Sequence, residues 1–145
     1  MTDQPITHFL ADRLAELDDE ALQALAMVAD VPIKTARRAA SGEPVAAWAA
    51  LCLIAARGYD PITREQIARR KLGKFDHRTL ALFMSTRMRV KKYTVRNVTA
   101  ETGFSTRVVQ NILKAEHVNL SNVVKACVYL NIHPFDQCEK VREAA

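Results

Sequence analysis

Between Ser105 and Ala115 the chain places Thr106, Arg107, Gln110, Asn111 and Lys114 at spacings that gather them on one side of a helix, with no acidic residue among them. Arg, Gln and Asn carry donors and acceptors that match base edges, and Lys and Thr suit phosphate oxygens. The opposite side, Val109, Ile112 and Leu113, is apolar at helical spacing and should face a core. Just upstream, Val95, Val98 and Thr102 share one helical face. Gly103 can take the left-handed conformation that ends this helix, and Ser105 can cap the next. Thr94 to Lys114 therefore reads as two short helices joined by a tight turn.

This run resembles the helix-turn-helix of the lambda-repressor/Cro-type (Xre) family of DNA-binding proteins. Thr99, Gly103, Phe104, Ser105 and Val109 carry the resemblance. Downstream, Leu120, Val123, Ala126, Cys127, Leu130, Asn131, Ile132 and Pro134 resemble the family's fourth helix and the turn after it. Val95 stands where the family often has Gln, and Thr99 where it usually has Ala. The resemblance implies a transcription regulator of double-stranded DNA, repression being the commoner outcome, with the helix from Thr106 entering the major groove. Thr106, Arg107, Gln110 and Asn111 would then contact base edges. Lys91, Lys92, Arg96 and Lys114 would hold phosphates, the two adjacent lysines beside the N-terminus of the helix that follows them.

The elements that must position these groups recur. Sliding the chain by 73 residues lays Ala21 to Val45 over Thr94 to Val118 without a gap, matching residue class more than identity. Leu22, Leu25, Ala26, Ala29 and Val31 fall on Val95, Val98, Thr99, Thr102 and Phe104, while Gly58 and Pro61 fall on Asn131 and Pro134. Asp30 replaces the turn glycine, which Asp tolerates better than most residues. Lys34, Arg37, Arg38 and Ser41 take the places of Arg107, Gln110, Asn111 and Lys114, the first three as candidate base contacts and Ser41 as a candidate phosphate contact. The repeats are nevertheless unequal. Asp18, Asp19 and Glu20 lie where the second repeat has its basic run, and would repel phosphate.

The reading predicts an all-α fold of two tandem five-helix units, residues 1–72 and 73–145, packed together. In the first, helices are expected at Thr7 to Leu17, through Ala29, from Pro32 to before Gly42, at Val45 to Arg57, and at Ile62 to Lys71, where Thr63 and Gln66 have capping-box spacing. In the second, His77 to Lys91 precedes the two motif helices, Asn119 or Ser121 caps a fourth ending near Asn131, and Pro134 opens a last one running toward Ala145.

Composition sets the outer limits. The chain has 145 residues, 49% hydrophobic and 26% charged, a soluble globular balance. Residues 1–60 carry five Lys and Arg against nine Asp and Glu, and residues 61–145 carry sixteen against seven, so the surplus that favours polyanions lies in the second half. No signal peptide or membrane-length apolar run is present, which points to a cytoplasmic protein without a membrane partner. Cys52, Cys127 and Cys138 read as reduced core thiols, and Trp48 and the Phe residues as core. His8, His77, His117 and His133 have no metal-ligand spacing, and no nucleophile or phosphate-loop motif occurs. The expectation is a non-enzyme with no cofactor and no metal. Two rival readings remain: a protein-interaction module or antiactivator built on the same units, suggested by the acidic, Ala-rich first repeat, and a DNA-bending recombination accessory protein. A homodimer or a protein regulator is a further possible partner.

Overall fold

The computed structural model describes residues 4–139, and in it the chain is all-α, with no strand among the described residues. Four helices, α1 Ile6–Ala15, α2 Asp19–Ala29, α3 Ile33–Ala40 and α4 Ala47–Arg57, lead into an irregular segment. Four more follow, α5 His77–Lys91, α6 Val95–Thr102, α7 Thr106–Leu113 and α8 Leu120–Tyr129, and then a 3-10 turn at Pro134–Gln137. None of them is long and apolar enough to cross a membrane.

Local chemistry explains most of these boundaries. Asp18 accepts from the Ala21 amide at 2.7 Å, Ser105 from Val108 at 3.2 Å and Asn119 from Asn122 at 2.9 Å, each satisfying a first-turn donor. Asp76 caps α5 through the amides of Arg78 and Thr79. Asp30 and Gly103 end α2 and α6 in the left-handed conformation, at φ 56° and 77°.

The 73-residue interval appears in the backbone itself. α3 and α7 are offset by it at both ends, and α4 and α8 at their starts. Left-handed residues recur at the same interval: Asp30 and Gly103, Gly42 and Ala115, Gly58 and Asn131. The Glu43 amide bonds to the Arg38 carbonyl as Glu116 does to Asn111, and Tyr59 to Ile54 as Ile132 does to Cys127.

Packing centres on α4. Its sequence, AWAALCLIAAR, is apolar around almost the whole circumference, and nine of its eleven residues are buried. α1, α2, α3 and α8 all pack against it, and one continuous cluster of buried side chains joins residues from both halves. The short alanine side chains let neighbouring backbones come close. Burial pushes the Cys52 thiol up to about 11, and those of Cys127 and Cys138 up to about 12, so all three, which form no disulfide, are held as neutral thiols. Phe9, Phe75, Phe104 and Phe135 are buried, whereas Phe83 is exposed and Trp48 is half-buried beneath the Lys74 ammonium, 5.5 Å from the ring centre.

Two expected helices are replaced by other structure. Ile62 to Lys71 forms no helix: Asp60 caps a single turn through the amides of Ile62 and Thr63 at 2.7 and 3.0 Å, as Asp76 caps α5, but Arg64 turns to φ 62° and ends it. Thr63 then accepts from Glu65, and Tyr59 pairs with Gln66 in an isolated antiparallel bridge. The chain is drawn back onto α4, with the Ile67 amide on the Gly58 carbonyl at 2.7 Å and Arg70 on Ala55 at 2.9 Å. A Cβ at Gly58 would stand 2.9 Å from the Ile67 carbonyl oxygen, so the approach requires glycine. The helix expected from Pro134 is a single 3-10 turn. After it Cys138 bridges to Phe75, and Glu139 exchanges hydrogen bonds with Gly73 and Lys74. The rest of that expected helix, beyond Glu139, lies outside the described residues.

The halves are also pinned by a pair that stands 73 residues apart. His133 Nε2 lies 2.8 Å from Asp60 Oδ2, both side chains largely covered, and His133 Nδ1 accepts from the Phe135 amide. Burial pushes the Asp60 carboxyl up, but the Thr63 amide, the His133 ring and the Ile62 amide together outweigh it and hold the group below its ordinary value.

Leu53 and Ala55 of α4 are fully buried. Leu53→Ala should cost about 2–5 kcal/mol by leaving a cavity, and Ala55→Leu about 1–3 kcal/mol or more by overpacking, both read from urea unfolding. A group whose folded pKa is depressed stabilises above its unfolded pKa and loses that contribution as pH falls through the folded value. Asp60→Asn should therefore destabilise the chain at pH 7, and the gap to the parent should shrink below about pH 4, the unfolded carboxylate range. A gap that stays constant across the acid limb would remove the charge from this account.

Candidate nucleic-acid interface

α7 turns Val109 and Ile112 into the core and leaves Thr106, Arg107, Gln110 and Lys114 exposed, with Asn111 half-buried. At about 100° per residue, Arg107, Gln110, Asn111 and Lys114 fall within roughly 100° of one another around the axis, opposite the buried pair. None of the four side chains has a hydrogen-bond or salt-bridge partner among the described residues. A ridge of unspent donors thus stands on a helix whose other face is fixed by packing against both α5 and α6.

Lys91, Lys92 and Arg96 are exposed around the α5–α6 junction. Lys92 closes α5 in the left-handed conformation at φ 55°, and the Lys91 ammonium lies 5.6 Å from the centre of the Tyr93 ring. At the start of α6, Asn97 accepts from the Thr94 amide at 2.8 Å. The Val95 and Arg96 amides, in the first turn, have no intrahelical acceptor, as in any helix.

The one acidic side chain within α6 and α7, Glu101, is taken up by neighbours. It accepts from the Tyr93 hydroxyl at 2.7 Å and from the Tyr129 hydroxyl, and the Arg87 guanidinium lies 4.5 Å over the Tyr129 ring. The Tyr129 hydroxyl first, then that of Tyr93, holds the Glu101 carboxyl below its ordinary value. Burial first, then Glu101, raises Tyr129, and Glu101 raises Tyr93. The carboxylate thereby ties α6 to α8 and to the turn that precedes it.

The counterpart ridge on α3 differs in charge. Arg37 forms a two-point pair with Asp19 at 3.2 and 3.3 Å, and Arg38 pairs with Glu43 at 3.7 Å and donates to the Pro44 carbonyl. Ser41 donates to the Arg37 carbonyl. Lys34 alone of that set is exposed with no partner among the described residues. The helix itself is free of acid, but carboxylates from its neighbours reach it.

Sequence reasoning did not anticipate the apolar surface on α5 and α8, where Leu82 is 65% exposed, Val90 74% and Val128 54%. The signal available was that α5 carries more apolar residues than one face can bury. Arg69, Arg70 and Lys71, expected in the fifth helix of the first unit, instead belong to the irregular segment and line a groove against α2 and α4. His77 and His117 meet edge to face with ring centres 4.7 Å apart, and no group of three or more metal-ligating side chains occurs among the described residues.

No family model, no curated protein and no solved structure matches this chain.

Glu101→Gln removes the charge that raises the two phenols. The ultraviolet titration of the tyrosines should then move to lower pH for two of the three, while an unchanged curve would show that Glu101 is not held as described.

Proposed function

We propose that the chain is a sequence-specific double-stranded DNA-binding regulator that docks through its second half. α7 lies in the major groove with Thr106, Arg107, Gln110 and Asn111 toward base edges, and Lys91, Lys92, Arg96 and Lys114 on phosphates. The observation that carries this reading is the exposed, acid-free ridge on α7, whose donors have no partner among the described residues. A helix face that serves only as solvated surface usually mixes signs, as α3 does once Asp19 and Glu43 are counted. The resemblance to lambda-repressor/Cro-type helix-turn-helix units supports the same reading and favours repression. In this reading the first half, with Arg37 and Arg38 already neutralised, contributes little to docking and serves another purpose.

Selection of bound sequences from a random duplex pool, followed by a salt-titrated shift assay, tests the proposal. Arg107→Ala and Gln110→Ala should each cost about 1–3 kcal/mol on the selected site and little on other duplexes. Lys91→Ala with Lys92→Ala should weaken binding to all duplexes and lower the slope of log affinity against log salt by about 2. Absence of binding at low salt, or four silent substitutions, would overturn it. Circular-permutation bend measurement on the selected site separates site-specific reading from an architectural role.

A further inference from the structure

α2 carries two apolar stripes. Leu22, Ala26 and Ala29 point into the core, whereas Ala21, Leu25 and Val28, also at helical spacing, line an open groove of ≈430 Å³ between α2, α4 and the segment after Tyr59. That volume lies within the range of small-molecule sites. One rim is cationic. Arg57 is held by Glu16 at 3.0 Å and Arg70 lies over the Phe135 ring, which leaves Arg69 and Lys71 without an ion-pair partner among the described residues.

The second half shows what this position holds when it is filled. Shifted by 73 residues, Val28 becomes Glu101 and Ala56 becomes Tyr129, the pair whose hydroxyl–carboxylate bond joins α6 to α8. The first half has the same two helix faces without the ring and without the carboxylate. It has instead an apolar floor, with Ala56 at its base, and cations at its edge.

We propose that this groove binds a small apolar carboxylate, a ring or short alkyl chain against Leu17, Leu25 and Val28 with its anionic head on Arg69 and Lys71. The ligand supplies both features that the second half builds from Tyr129 and Glu101. The site stands without the DNA reading, and together with it the first half becomes the place where an effector acts.

The probes are 2-naphthoate and its neutral counterpart 2-naphthylmethanol, titrated into the full chain and followed by amide NMR shifts. Naphthoate should move Ala21, Ala24, Val28 and Ala56 and bind about tenfold tighter than the alcohol, because the head group is charge-assisted. Arg69→Ala with Lys71→Ala should erase that preference. Val28→Glu, at a position 56% exposed and so safe for folding, should repel naphthoate and spare the alcohol. Ala56→Tyr with Val28→Glu, which copies the second half, should close the groove to both, helical content being checked by circular dichroism. Equal affinity for the two probes, shifts outside the groove, or an unaffected Val28→Glu protein would overturn the proposal. So would a groove that ignores naphthoate and responds only to an acidic amphipathic peptide. Loss of DNA binding in the shift assay leaves this test unchanged, so the two proposals fail separately.

Discussion

Burying α4 on every side is the constraint that the rest of the structure obeys. A helix with scarcely a polar face must be covered all round, and here α1, α2, α3 and α8 do so, their approach eased by alanines. Its counterpart α8 keeps Ser121, Lys125 and Val128 exposed and is covered on one side only. The two halves share turns and hydrogen bonds but not their place in the molecule. The first wraps the centre, and the second leans on it through α8, the Asp60–His133 pair and the return of Cys138 and Glu139 to the segment around Gly73.

That difference extends to charge. On the common scaffold, α3 and α7 face outward with matching polar positions, yet their surroundings set opposite conditions. Asp19 at the start of α2 reaches Arg37, and Glu43 beyond α3 reaches Arg38. In the second half Lys92 stands in the place of Asp19, and Glu116, in the place of Glu43, forms no ion pair with α7 among the described residues, while Glu101 is bound by two phenols, so Arg107 and Lys114 keep their charge unspent. Matching helix positions and turns thus present one ridge compensated except at Lys34 and one with no ion pair among the described residues.

The same logic connects the groove to the ridge. α2 carries Asp19, which holds Arg37 of α3, and it also lines the groove beside α4. A ligand that shifts α2 would therefore act on the α3 pairing as well as on the packing around α4. α6 has no such freedom, because Glu101 locks it to Tyr129 of α8 and to Tyr93 of the preceding turn with hydrogen bonds.

The sequence by itself determined the helices that are capped and amphipathic. α5, α7 and α8 lie where caps and apolar spacing put them, and the 73-residue interval is legible because turns need the same residue types each time. Caps and helical periodicity act within one or two turns, so a short window contains their cause. Tertiary structure decided what depends on groups far apart in the chain. Thr63 and Gln66 have the spacing to start a helix, but Arg64 turns left-handed and the Ile67 and Arg70 amides go to the Gly58 and Ala55 carbonyls, so the helix is lost. The charge on α3 could not be read from α3, since its neutralising carboxylates belong to other segments. The basic run Arg69 to Lys71, expected in a helix of the first unit, instead lines a groove over α2 and α4, because the chain folds back onto α4 before it leaves for α5.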